Sequence, residues 1–279
     1  MLTLHSKEQT ITIGPHEHHA LLGIKEIWGF RGLLFFLAWR DLKVRYKQTA
    51  LGVIWVLLQP LTLMLIFTFV FGRLAKLPSE GAPYHLFALA GLVPWLLFSS
   101  VVSQVSSSLV TDARIISKIY FPRLIVPLSA SISCLLDSFI SLALLLVIYF
   151  ASGGDFSLRL LFLPIWIVGT LLVALSFSIG LAALNAKFRD FRYVIPFGLQ
   201  LMMFLTPVVY SSSLVPGSVH WLYALNPMAL MVDGFRWSVL GVGEVSAGAV
   251  LATGIVLTIA GMLSIRYFRA VEDFLADIL

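Results

Sequence analysis

The chain predicts an all-α integral membrane protein, and three observations carry that prediction. Of 279 residues, 59% are apolar and only 12% are charged, against roughly 45–50% and about 25% in a soluble globular chain. Six apolar runs approach or exceed the roughly 18 residues needed to cross about 30 Å of hydrocarbon. The nineteen Lys and Arg residues gather in alternate segments between those runs. So little charge cannot cover a water-facing surface, which excludes a cytosolic enzyme, a disordered chain and a nucleic-acid binder. The formal charge of +5 is instead explained by excess Lys and Arg on cytoplasmic loops. The one cysteine, Cys134, leaves no intrachain disulfide and no cysteine metal cluster.

The runs cover about 52–72, 85–107, 124–150, 160–185, 194–211 and 247–266, the fifth being short. Arg73, Lys76, Arg159 and Arg236 fall on one side of such a six-span arrangement, and the other Lys and Arg residues fall on the opposite side. The richer side is the inside, and an even number of spans puts both termini there. The first 20 residues are polar and no short apolar core with a small-residue cleavage site follows them, so no secretory signal peptide is expected. The organisation is a polar N-terminal segment, 1–27, and a six-span domain, 28–279.

Two stretches depart from plain spans. Residues 28–50 have a helical pattern in which Trp28, Phe35, Trp39, Leu42 and Tyr46 share one stripe, while Arg40, Lys43 and Lys47 share another. Aromatics set apart from cations predict an amphipathic helix at the cytoplasmic interface. Asp41 and Arg45, four apart on a third face, are expected to pair with each other. Residues 212–246 are apolar but broken by Pro216, Gly217, Asn226-Pro227 and Asp233. They predict an external re-entrant helix pair, whose irregular backbone is tolerated where protein buries it.

The chemistry is mostly defined by what is missing. No Gly-Lys pair exists, hence no phosphate loop of the Gly-x-x-x-x-Gly-Lys-Ser/Thr kind. His16, Glu17, His18 and His19 are the densest ligand cluster, but their spacing is not His-Glu-x-x-His, and a solvated tail is the favoured reading. No metal or other cofactor is expected. Asp137 lies mid-span on a stripe with Ser129, Ser133 and Ser141. An intramembrane carboxylate is a functional candidate by default. With no second acid, His, Lys or Arg in the spans to form a relay, helix packing with hydroxyls bonding across helices is the favoured reading. Ser99, Ser103 and Ser107 form a similar stripe. The aromatic residues are expected mainly in the core, against lipid or in interfacial belts.

Trp39-Arg40-Asp41-Leu42-Lys43-Val44-Arg45-Tyr46-Lys47, then Leu51-Gly52-Val53-Ile54-Trp55 and Gln59-Pro60-Leu61, resemble the N-terminal signature of type-2 ABC transporter permeases, in particular the polysaccharide and O-antigen exporter branch. Arg114 to Arg123, Asn185 to Asp190, Thr206-Pro207-Val208-Val209-Tyr210 and Leu225-Asn226-Pro227 resemble later segments of that branch. The likeness covers about 28–270. It implies a permease, not an enzyme, in the cytoplasmic (inner) membrane. It further implies a homodimer bound to a separate ATPase subunit that holds the ATP, moving a lipid-linked glycan outward. Teichoic acid, capsular polymer or drug export is the alternative within the class. A secondary transporter would need an inverted repeat or convergent mid-membrane charges, and a membrane-embedded transferase would need a cluster of acids or histidines. Neither is found.

Two sets of cations become candidates on this reading. Arg114 and Lys118, four apart before Pro122, are expected either to set topology or to contact the ATPase. Arg40, Lys43 and Lys47 are expected either to anchor on membrane lipid or to meet an anionic lipid-pyrophosphate head group. Arg45, about 140° around the helix from Arg40, is expected to matter less.

Overall fold

The computed structural model describes residues 24–47, 53–219, 223, 225–243 and 245–272. Those residues form ten α-helices and no strand. In chain order they are α1 (Ile24–Gly29), α2 (Arg31–Lys47), α3 (Val53–Phe67), α4 (Tyr84–Thr111), α5 (Ala113–Ile116), α6 (Ile125–Ala151), α7 (Leu163–Lys187), α8 (Phe191–Leu205), α9 (Pro227–Leu240) and α10 (Ala247–Glu272). A π-helical segment, Thr68–Leu74, extends α3, and a 3-10 turn, Leu158–Phe162, leads into α7.

Five of these helices are long and apolar enough to cross a membrane: Ile54–Leu74, Tyr84–Thr111, Ile125–Ala151, Leu158–Lys187 and Ala247–Glu272. They match five of the six expected runs. The sixth run is α8, whose 15 residues give it a length of only about 22 Å. The chain is a multi-pass membrane protein.

α4 is the central post. In its apolar window 78% of residues are buried, against 11% for the α3 and α10 spans. It packs on α3, α6, α7 and α9. Small residues permit that crowding, most sharply at Gly91. A Cβ there would stand 2.7 Å from the Val208 carbonyl oxygen and 2.9 Å from Arg236. One core cluster gathers Trp95, Val101 and Val105 of α4 with Trp166, Val173, Met228 and Phe235. A second, at the opposite end, joins Leu37 of α2 to Leu109, Leu124, Ile125, Ala183 and Phe268. This second end also carries Arg114, Lys118, Arg123 and Lys187 and is called the basic end below.

The serine stripes do not bond across helices as expected. Ser129, Ser133 and Ser141 donate to Val126, Ala130 and Asp137 carbonyls on their own helix, and Ser99 and Ser107 do the same on α4. A hydroxyl satisfied this way leaves helix faces smooth and closely packed without tying them to a neighbour.

In the expected re-entrant region, α9 supplies one 14-residue helix. It is preceded by 3-10 turns at Ser212–Leu214 and Gly217–Val219; part of the segment between lies outside the described residues. Its ends are written in the sequence. The Asn226 side chain caps the Met228 amide at 3.0 Å, Pro227 takes the first turn, and Gly241 closes the helix at φ 72°. The His16 to His19 cluster lies outside the described residues.

Candidate functional site

α2 has three faces. Leu37 and Ala38 are its buried residues, and with Asp41 and Arg45 they lie on the side turned to α6. The expected aromatic stripe is divided: Phe35 and Trp39 face away, 63% and 60% exposed, Trp28 lies on α1, and Tyr46 turns to the docked face. On the third face Lys43 lies over the Trp39 ring at 5.7 Å, and Lys43 and Lys47 are exposed.

The docked face carries an unexpected cluster. The Arg45 guanidinium donates to the Asp137 carboxylate and to the Gln104 side-chain carbonyl, and the Tyr46 hydroxyl donates to the other Asp137 oxygen. The expected Asp41–Arg45 pair is therefore replaced. Asp41 is held by its neighbour Arg40, at 2.7 Å, because Arg45 reaches a carboxylate deeper in the bundle. The spans supply Asp137 with no cation, as expected; its partner comes from outside them, 92 residues earlier in the chain. An arginine fork bonding two acceptors satisfies charges that would be expensive in hydrocarbon.

Arg40 makes a second tie. Its Nη2 stands 2.8 Å from Asp112 Oδ2, the residue just before α5. The bond to Asp112 holds Arg40 above its ordinary pKa, with partial burial pulling the other way. Arg40 therefore does not share the open environment of Lys43 and Lys47. The two ties set the slant of α2. Asp112 lies just past the end of α4, whereas Asp137 lies 12 residues, or about 18 Å, into α6. The C-terminal half of α2 thus runs inward beside the spans.

α5 and the residues after it project at the basic end. Arg114 and Lys118 are exposed, as are Ile119 (59%) and Tyr120 (63%). Ile116 is buried beneath them, and the Arg123 amide donates to Glu272 at 3.3 Å. A short basic and apolar ledge is therefore seated on the ends of α4, α6 and α10.

The opposite end holds Arg236, one of the four cations that the sequence places on the external side. Arg236 is 1% exposed. It donates to the carbonyls of Val208 (2.8 Å), Tyr210 (3.2 Å) and Phe87 (3.4 Å). Asp233 Oδ1 is 3.9 Å away, and the guanidinium lies 3.6 Å from the Phe87 ring centroid. The Val208 and Tyr210 carbonyls come from the irregular stretch after α8. Asn226 reaches the same stretch, donating to Thr206 Oγ1 at 3.0 Å. Close approach of α9 to α7 needs Gly234, where a Cβ would stand 2.4 Å from the Trp166 ring. Nearby, a cavity of about 490 Å³ is lined by Glu80, Ser212, Ser213, Asn226, Asp233 and Thr253, among others. Glu80 is fixed by Ser211 and by the Gly243 amide at 2.9 Å.

Among the described residues, no three His, Cys, Asp or Glu side chains converge as metal ligands would. The arrangement offers positioned charge at two levels and an exposed ledge, which suits mechanical coupling and the guidance of polar cargo. Sequence reasoning singled out Asp137 on its serine stripe and, separately, Asp41 with Arg45, but it had no signal for joining residues of different helices. Arg236 was legible only as an arginine three residues after Asp233 in an apolar stretch.

Comparison with known proteins gives a consistent result. Residues 32–240 match the ABC-2 type transporter family. The chain is 32% identical over 233 residues, covering 82% of it and 89% of the relative, to an O-antigen export system permease protein RfbA of Klebsiella pneumoniae. An RfbA of Myxococcus xanthus is 30% identical over 215 residues, covering 76% of this chain and 82% of that protein. The polysialic acid transport protein KpsM of Escherichia coli is 27% identical over 219 residues, with the same coverage. A multi-helix membrane bundle matched to one family along three quarters of its length leaves one conclusion: the chain belongs to the ABC-2 type transporter family.

Proposed function

We propose that this chain is the membrane-spanning permease subunit of an ABC transporter that exports a polysaccharide, such as an O-antigen, across the cytoplasmic membrane. The observation that carries the reading is the 32% identity to an O-antigen export permease across 82% of the chain. ATP is bound and hydrolysed on a separate ATPase subunit, and the basic end, with both termini, faces the cytoplasm. A second copy of the chain completes the pathway. The dimer reading is supported by α8, which leaves Tyr193, Phe197, Leu201 and Phe204 exposed, and by α3, which is little buried.

In this reading the ledge bearing Arg114 and Lys118 meets the ATPase, and the cargo is a lipid-linked glycan. Its anionic head group is met at the inner surface by the face bearing Arg40, Lys43 and Lys47. Lys43 and Lys47 make the direct contact, and Arg40 is engaged with Asp41 and Asp112. A second reading, transport of a polymer like polysialic acid, has the KpsM similarity behind it. Purification from native membrane separates these readings. A stoichiometric ATPase subunit is expected to copurify, and the bound glycan identifies the cargo. Purification without any ATPase would overturn the proposal.

A further inference from the structure

We propose that the two ion pairs of α2 are positioning joints, by which movement of the ATPase-facing ledge is carried into the spans. The proposal rests on the reading that α5 meets the ATPase. The outer joint is Arg40–Asp112, at the residue that leads into α5. The inner joint is Arg45 with Asp137 and Gln104, reinforced by Tyr46. A displacement of α5 moves Asp112, Asp112 carries Arg40, and α2 passes the displacement to α6 at Asp137 and to α4 at Gln104.

Three observations favour a transmitting role over a purely structural one. First, the apolar seating of α2, made by Leu33, Leu34, Leu37 and Ala38, ends before Arg40, so polar joints carry much of the attachment of its C-terminal turns. Second, ion pairs that keep access to water add little net stability, so stability alone does not call for two of them. Third, the pairs are not sealed: the side chains of Arg45 and Asp137 keep 28% and 21% exposure, and those of Arg40 and Asp112 keep 30% and 12%. A pair with access to water, whose arginine also bonds a second acceptor (Gln104 for Arg45 and Asp41 for Arg40), can loosen one bond while keeping the other.

The decisive variant is the double neutral R45Q/D137N, which removes both charges together. Surface polysaccharide of producing cells is compared with the ATPase rate of the copurified complex, alongside membrane abundance and thermal unfolding. A coupling loss of at least about five-fold, the low end for coupled sites, is expected in polysaccharide per ATP, at normal abundance and melting temperature. R40Q/D112N is expected to lower the same ratio. R45K keeps the charge but loses the fork, and is expected to fall between. A double neutral variant with normal coupling overturns the proposal, as does one that fails to insert, since the pair would then be a scaffold contact.

R114E/K118E, measured in parallel, separates this proposal from the reading beneath it. If R114E/K118E uncouples and R45Q/D137N does not, the joints alone are overturned. If R45Q/D137N uncouples and R114E/K118E does not, the ledge contact falls, and with it the route from α5 through Arg40–Asp112. Normal coupling in both overturns both, and wild-type complex without an ATPase overturns the whole reading.

Discussion

Arg236 and Arg45 are both arginines at membrane depth, and the bundle treats them differently. Arg236 is enclosed by main-chain carbonyls of Val208, Tyr210 and Phe87, and those oxygens are fixed by the backbone that carries them. Arg45 is held by the side chains of Asp137 and Gln104, which can turn on their own bonds. One arginine fastens an irregular piece of chain in place; the other joins separate helices through groups that can let go. Environment rather than residue type decides whether a membrane charge is a fastener or a joint.

The largest expected effect breaks the fastener. Arg236→Met keeps bulk but strands the Val208 and Tyr210 carbonyls, and each unsatisfied buried group costs about 1–3 kcal/mol. The variant is expected to be nearly absent from detergent extracts by fluorescence-detected size exclusion. Arg236→Lys should not rescue it, because an ammonium lacks the planar fork. A normally folded Arg236→Met protein would erase the contrast with Arg45.

Next comes Gly91→Ala, which presses a methyl group against the Val208 carbonyl and the Arg236 side chain. Overpacking of this kind costs about 1–3 kcal/mol, visible as a lower melting temperature. Gly248→Ala, with nothing within 4 Å of the added carbon, should melt as wild type does.

Single neutralisation of the inner joint ranks third. Arg45→Gln leaves Asp137 charged and half-paired, at about 1–3 kcal/mol given its partial exposure. Thermal unfolding should show Arg45→Gln below Lys43→Gln. Sequence reasoning assigns Arg45 the milder effect only in export and only if the head group is met by Arg40, Lys43 and Lys47, so the two measurements rank the positions oppositely. The smallest effect belongs to Lys43→Gln, whose exposed side chain should leave melting unchanged and whose loss, if the head-group reading holds, appears only in export.

How much was legible in the sequence follows from the kind of information each feature needs. Span positions are one-dimensional: a run such as 124–150 is apolar enough by itself, and the helix Ile125–Ala151 follows. The α9 boundaries were equally local, since Asn226-Pro227 and Gly241 carry start and stop chemistry in adjacent residues. The inner joint needed a distance between residues 92 apart, and no periodicity encodes that. The helical wheel did isolate Asp41 and Arg45 on their own face. The local i,i+4 rule then offered Arg45 a partner on the same helix, and the bundle supplied a better one. The burial of Arg236 was not legible, because its position between spans gives only its side, while burial depends on neighbours that only the fold brings near.

The shortness of α8 has a consequence for membrane thickness. Its 15 residues cover about 22 Å of a hydrocarbon layer near 30 Å, leaving a deficit of about a turn and a half. Oriented along the membrane normal, α8 ends with Thr206 to Tyr210 still inside the apolar layer, where open carbonyls are not tolerated against lipid. Arg236 accepts that deficit by taking two of those carbonyls into the protein. The chain beyond α8 therefore carries its own backbone partner, Arg236, in place of the apolar turn and a half that a full-length span would have had.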